Sequence, residues 1–229
     1  MEQEPAWVIH RRPYRETSLL LDLFSLNHGR ISAVAKGARR LNQPWQSQLE
    51  PFLPLQLAWL GRTGLKTLTG ADPGPPSARL RGNRLYCGLY LNELIQRLLP
   101  EGEPFPAIFA GYMNALNALA QDDSLEIPLR RFEWCLVAEL GYGFSLDTLA
   151  DSGATVVAGG LYCLDPEQGI SQLAGRGCRL RNLPGEDLLA MAAGDLSQVP
   201  VRRSAKRIMR VLVDHLLQGA PLHSRQLFQ

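Results

Sequence analysis

Lysine is scarce in this chain. Of 24 basic residues only Lys36, Lys66 and Lys206 are lysine, and the rest are arginine, which suits bidentate contacts to phosphate or carboxylate and stacking on bases. Cysteine is scarce too. Cys87, Cys135, Cys163 and Cys178 form no C-x-x-C pair, and their spacings match no common zinc module. Cys87 and Cys135 fall in helix-like apolar runs and read as buried thiols. No stretch approaches the roughly 18 apolar residues of a membrane span. No signal peptide opens the chain either, since Glu2 and Glu4 carry the wrong charge. These absences predict a cytoplasmic protein in a reducing compartment, with no membrane partner.

Catalytic machinery is also missing. There is no G-x-x-x-x-G-K-[ST], hence no P-loop, and Gly141-x-Gly143 lacks the rest of a dinucleotide fingerprint. There is no G-x-S-x-G. His10, His28, His215 and His223 make no H-E-x-x-H or other ligand pair. The adjacent carboxylates Asp122-Asp123 and Glu186-Asp187 sit in a loop and at a helix start, where solvation is their expected role. The sequence therefore points to a binding protein rather than an enzyme, without cofactor or metal.

What is present is a real core and a segregated charge. The chain has 229 residues, 45% of them hydrophobic, enough for one large domain or two ordinary ones. Net charge is only +2, but residues 1–80 carry net +4, residues 81–170 net −7 and residues 171–229 net +5. An acidic middle lies between two basic ends.

Strand patterns fill the first part. Ala6 to His10 reads as a strand that Arg11-Arg12-Pro13 ends. Thr17 to Leu26 is apolar on both faces, as a barrel strand can be where another domain covers it. Asn27-His28-Gly29 turns the chain, with Gly29 free to take positive φ, into a third strand. That strand ends in a small-residue loop. On this reading the hairpin brings Gly29 and the cations Lys36, Arg39 and Arg40 to one tip, a place to grip a phosphate backbone, with a solvated hairpin end as the alternative. Residues 41–51 read as loop, and Phe52 to Leu60 and Leu65 to Ala71 as two more strands around the turn Gly61-Arg62-Thr63-Gly64. Trp45 in the loop could stack on a base, whereas Trp7, Phe24, Phe52 and Trp59 read as core. Arg11, Arg12 and Arg15 read as surface charges. Five short strands in about 70 residues fit an OB-fold barrel, with an SH3-like barrel as the alternative. Asp72 to Ser77, with three prolines and a glycine, marks the boundary.

Helices follow. Residues 85–99 are apolar on most sides, as a central core helix is. Residues 107–120 form a second helix. A third starts with Pro128 as its first residue and closes at Gly141. Phe132, Cys135, Leu136 and Leu140 face its core, and Arg130, Arg131, Glu133 and Glu139 are its polar positions. Residues 145–185 read as a small irregular β insert without zinc, with strand pieces at 156–157, 161–164 and 169–170. Glu186 to Ala193 is a short helix. Val201 to Leu217 is a long one whose Arg202, Arg203, Lys206, Arg207 and Arg210 share a face opposite its apolar stripe. That face could bind DNA or could be the wet side of an amphipathic helix. The tail PLHSRQLFQ is apolar enough to dock. The expected class is α+β: a five-stranded OB-fold barrel over 1–78, then a mainly helical domain over 79–229.

Five segments carry a family likeness: RPYRETSLLLDLFSLNHGRISAVAKGARR at 12–40, LEPFLPLQLAWLGRTGLKTL at 49–68, LYCGLYLNELIQRLLP at 85–100, LRRFEWCLVAELGYG at 129–143, and AKRIMR with SRQLF near the end. With them the chain resembles RecO, the bacterial DNA-repair and recombination mediator, over nearly its full length. The resemblance implies an N-terminal OB-fold and a helical C-terminal domain. It implies binding to single- and double-stranded DNA, annealing of complementary strands, and association with the bacterial nucleoid. It also implies partnership with single-stranded-DNA-binding protein and RecR, so that RecA, an indirect partner, can load on coated strands. Some members carry a four-cysteine zinc site after the position of Leu140; here only Cys163 and Cys178 lie there, so zinc is not carried over. Arg30, Lys36, Arg39, Arg40, Arg62 and Lys66 on the barrel, with the helix face Arg202 to Arg210, are the expected DNA contacts. The acidic tail of single-stranded-DNA-binding protein ends in a Pro-Phe carboxylate and needs an apolar pocket with a fixed cation. Arg130 and Arg131, the only basic residues between Arg97 and Arg176 and placed in a first helical turn where the dipole disfavours cations, are the expected site; pairing with Glu126 or Glu133 is the alternative. The alternative function is an OB-fold protein–protein adaptor without direct DNA binding.

Overall fold

In a computed structural model, residues 3–41, 45–77, 79–121, 124–172 and 174–228 are described, apart from the side chain of Gln46. Alternating apolar residues build the first part into β1 (Glu4–Tyr14), β2 (Ser18–Ser25), β3 (Gly29–Ala35), β4 (Pro54–Leu60) and β5 (Lys66–Pro73). They close into a barrel in the order β1-β2-β3-β5-β4. β3 and β5 run parallel, and the other neighbours are antiparallel. This is an OB-fold. Leu19, Leu21 and Leu23 of β2 point inward and meet Val8, Ile31, Ala33, Leu55, Leu57 and Leu68 in the barrel core.

Two ends differ from the expectation. β1 does not stop at His10 but continues through Arg11-Arg12-Pro13 to Tyr14, paired with β2 throughout. Among the described residues β4 borders β1 only from Glu4 to Trp7, so beyond that point no strand among them pairs with this edge of β1, and a proline is tolerated on such an edge. β5 likewise runs into the proline-rich stretch as far as Pro73, opposite Leu55. Within residues 41–51 a short helix, α1 (Trp45–Gln48), packs Trp45 against the barrel core; residues 42–44 lie outside the described residues.

Helices α2 (Asn83–Leu98) and α3 (Pro106–Gln121) cover the outer face of the barrel. This is why β2 is apolar on both sides. Phe24 on its outer face meets Phe109 at 5.4 Å and Tyr112 at 6.3 Å, and Trp7 of β1 meets Tyr112 edge-on at 5.5 Å. Buried polar atoms fix the packing. Asn92 Nδ2 donates to Ile9 O at 2.8 Å, and the Tyr112 hydroxyl donates to Asn92 Oδ1 at 2.5 Å. Burial raises the Tyr112 phenol far above its ordinary value, so it stays a donor. Gly29 takes φ 62°, and a Cβ there would collide with the carbonyl of Glu103.

The chain forms two compact units, Met1–Leu125 with Leu222–Gln229, and Glu126–Pro221. They cut the chain elsewhere than the expected boundary at 78, because α2 and α3 pack on the barrel. So does the C-terminus: a 3-10 helix, His223–Phe228, docks on α2. Glu93 of α2 accepts the His223 N–H at 2.8 Å, the Ser224 N–H at 2.8 Å and the Ser224 hydroxyl at 2.5 Å.

The second unit holds α4 (Glu126–Val137), a π-helical turn (Ala138–Tyr142), a small sheet, α5 (Gly185–Ala192) and α6 (Val199–Leu216). α4 starts two residues before Pro128, and Gly141 takes φ 86° inside the π turn that follows. The insert is more regular than expected. β6 (Leu161–Asp165), flanked by β7 (Gly169–Ser171) and β8 (Leu180–Pro184), forms an antiparallel sheet in the order β7-β6-β8, and Val156 is core without being strand. α6 buries Ala205, Ile208, Met209 and Leu212, the stripe its periodicity predicts.

Candidate nucleic-acid interface

The hairpin tip imagined from the sequence does not exist as such. Gly29 opens β3 and Lys36 follows its end, so the two lie a full strand apart, about 23 Å at 3.3 Å per residue. The Asn27–Gly29 turn is held elsewhere, by Glu4, which accepts the Asn27 N–H at 2.6 Å and the Asn27 amide at 3.0 Å.

The cations gather at the other end of β3. The end of β3 lies beside the start of β5, with Ala33 opposite Lys66 and Val34 opposite Thr67, and beside the turn joining β1 to β2. A cavity of about 400 Å³ opens there, lined by Tyr14, Arg15, Thr17, Ser18, Val34, Lys36, Gly37, Arg40, Leu65, Lys66 and Thr67. Four of these side chains are cationic and none is a carboxylate. Lys36 and Arg40, expected at one tip, thus share the cavity with Lys66, which the sequence placed at a different hairpin. Arg39 borders them, its guanidinium donating to Glu16 O at 3.3 Å, and Arg62 accepts the Lys66 ammonium on its carbonyl at 3.2 Å.

Arg30 belongs to another place. Its Nε donates to Leu99 O at 3.1 Å, and its carbonyl accepts the Gly102 N–H at 2.8 Å, tying β3 to the end of α2. Arg15 and Tyr14 were missed, Arg15 being read as a surface charge. The only sequence signal for them is their position beside a turn, and that turn was hidden by ending β1 too early. Arg15 sits with its guanidinium 5.2 Å from the centroid of the Tyr14 ring. Arg11 is paired with Glu50 at 2.6 Å. Trp45 packs on the barrel core instead of standing free.

On α6 the five cations do not act alike. Arg202 is half-buried, paired with Glu126 at 3.4 Å and donating to Leu196 O at 3.0 Å, so it fastens the start of the helix. Arg203 and Lys206 are exposed. Arg207 donates to Arg181 O at 2.9 Å, and Arg210 lies 3.9 Å from Asp214.

A second pocket, about 180 Å³, lies between α4, α5 and α6. It is lined by Arg130, Arg131, Trp134, Leu146, Met191, Gly194, Leu196, Ala205 and Met209. Arg130 does pair with Glu133, at 2.9 Å, the alternative the sequence left open, and the pair is buried, with 10% and 1% of the side chains exposed. Arg130 Nε finds no hydrogen-bond partner among the described residues. Because α4 begins at Glu126, Arg130 stands in the second turn, and the helix-dipole argument for it lapses. Arg131 is exposed at the rim.

Cys163 of β6 and Cys178 are neighbours, and burial together with Cys178 holds the Cys163 thiol above its ordinary value. Among the described residues no three His, Cys, Asp or Glu side chains gather as a metal site, and no helix is long and apolar enough to cross a membrane. Asp122-Asp123 lies outside the described residues. Asp187 is not solvated: it is buried and accepts the Ser204 hydroxyl at 2.5 Å.

The chain matches two family models. Residues 1–74 match "Recombination protein O N terminal" and residues 79–226 match "Recombination protein O C terminal". It is 52% identical to a protein of Marinobacter nauticus named "DNA repair protein RecO", over 100% of this chain and 94% of that one. Proteins of the same name from Halorhodospira halophila and Haemophilus influenzae are 44% and 42% identical, over 99% of this chain and 96% and 95% of theirs.

Proposed function

As this chain belongs to the RecO family of DNA repair proteins, we propose that it is a recombination mediator that binds single- and double-stranded DNA and anneals complementary strands. It acts as a binding protein, not as an enzyme. With RecR it helps RecA load on strands coated by single-stranded-DNA-binding protein. The observation that carries this proposal is the cavity with four cations and no carboxylate at the edge of the barrel. Cations so arranged exchange condensed counterions for phosphate oxygens and carry no sequence preference. The barrel, residues 1–78, is the DNA-binding domain, with Lys36, Arg39, Arg40, Arg62 and Lys66 along the backbone path and Arg15 added to them. Arg203, Lys206, Arg207 and Arg210 of α6 form a second basic surface.

The pocket at Arg130 and Arg131 suits the carboxylate-terminated tail of single-stranded-DNA-binding protein. Its lining is apolar apart from the two guanidinium groups, with room for one aromatic ring. Arg131, exposed at its rim, would take the ligand carboxylate, with the Arg130 guanidinium held behind it by Glu133.

The test is a titration of the protein with single-stranded DNA at several salt concentrations. Affinity should fall along a log–log slope of about 0.7 per phosphate contact. A protein–protein adaptor would have no DNA affinity to lose, and that result would overturn the proposal.

A further inference from the structure

We infer that the cavity at the barrel edge takes the base of a single-stranded nucleotide against the Tyr14–Arg15 pair, and so makes the protein favour unpaired over paired strands. This rests on the DNA-binding proposal above and deepens it. A phosphate backbone alone asks only for exposed cations on a surface. Here the cations surround a cavity of about 400 Å³, and part of its wall has no use for phosphate. Tyr14 is half-buried in that wall. Leu65, also in it, is 50% exposed, and covering such apolar surface is favourable.

The Arg15 backbone adds to this. Arg15 holds φ 52°, in the left-handed region that a non-glycine residue adopts at a cost, and its guanidinium lies over the Tyr14 ring at 5.2 Å. Backbone of this kind persists where the surroundings enforce it; it is used in hairpin turns and clusters at functional sites. Tyrosine rings and guanidinium planes both stack on nucleobases. A π-face accepts any base, so the cavity gives strand-type preference without sequence preference. A base in a duplex is already stacked and paired and cannot enter without unstacking. Phosphates reach Lys36, Arg40 and Lys66 from either kind of strand.

The experiment compares three strands by fluorescence anisotropy at one salt concentration: oligothymidylate, the same length with abasic residues in place of its bases, and a duplex. In Tyr14→Leu the ratio of single-strand to duplex affinity should fall roughly five- to tenfold, the low end of stacking losses; in Tyr14→Phe it should be kept. The wild-type protein should prefer the intact strand to the abasic one by a similar factor, and Tyr14→Leu should lose that preference. Equal wild-type affinity for intact and abasic strands, or a Tyr14→Leu protein that keeps the preference, would overturn the base site while leaving phosphate binding in place. Failure of the wild-type protein to bind any of the three strands would overturn the DNA-binding proposal itself, and this inference with it. The wild-type comparison of the two strands decides the matter even if Tyr14→Leu does not fold.

Discussion

The barrel unit and the second unit each offer cations to a ligand, on opposite electrostatic terms. At the barrel edge, Arg15, Lys36, Arg40 and Lys66 share a cavity without any carboxylate, and three of them are exposed. In the second unit, Arg130 is buried against Glu133 at 2.9 Å in a smaller, mostly apolar pocket. Exposed like charges repel one another weakly in water and await a polyanion, so their effect is additive and sensitive to salt. A buried, paired charge has been desolvated already, so it is fixed in direction and little screened, and it favours one well-placed carboxylate. On the function proposed above, cations would serve a long flexible polymer in one unit and a single terminal group in the other.

The contrast can be broken from either side. The largest effect is expected from Glu133→Ala. It strands the Arg130 charge in the interior, and denaturant unfolding of the second unit should show a loss of about 3–5 kcal/mol, as for other buried pairs cut on one side; a loss under about 1 kcal/mol would mean that water reaches Arg130 freely. Next comes the triple variant Lys36→Ala, Arg40→Ala, Lys66→Ala. Single-strand affinity should fall roughly a hundredfold at 0.1 M salt, with the log–log slope shallower by about two, at roughly 0.7 per contact, while stability hardly moves. An unchanged slope would take the phosphates off this cavity. Arg131→Ala should weaken binding of a peptide ending in Pro-Phe carboxylate by roughly 1.5–3 kcal/mol, the scale of a charged hydrogen bond. Affinity equal to wild type would shift the tail to the basic face of α6.

The smallest effect concerns Glu93. Burial alone would raise its carboxyl, but donation from the Ser224 hydroxyl, the Ser224 N–H and the His223 N–H outweighs burial and holds it below its ordinary value of 4.5. A depressed carboxyl contributes its stability in full above the unfolded value and loses it as pH falls through the folded one. Acid below that range should therefore release the C-terminal helix from α2, worth about 1–2 kcal/mol. Hydrogen exchange at the Ser224 amide should speed up there, and in Glu93→Gln it should be fast already at neutral pH.

Much of the barrel was legible in the sequence. Period-two alternation is set by the pleat, so Ile31, Ala33 and Ala35 of β3 and Leu55 and Leu57 of β4 announce an inward face, whereas β2, apolar on both faces, does not say which side turns in; Lys36 and Arg40 stand out as cations following a strand. What stayed hidden depends on neighbours distant in the chain. The edge of β1 that no described strand pairs with beyond Trp7 lets Pro13 remain in a strand, and only then do Tyr14 and Arg15 arrive at the cavity. An i,i+3 pair such as Arg130 and Glu133 reads as a solvated helix face, because nothing local says that the rest of the second unit will bury it. Arg30 looks like one more basic contact until Leu99, 69 residues away, turns out to accept its Nε–H.

The return of Leu222–Gln229 to the barrel unit sets the order in which the protein can be completed during synthesis. The barrel strands leave the ribosome first and the second unit follows. Yet α2 lacks the hydrogen-bond donors His223 and Ser224 for its Glu93 carboxylate until the whole of the second unit has been made. The unit begun before the other is finished after it, and a ribosome that stops short of residue 222 releases a chain whose barrel unit is the incomplete one.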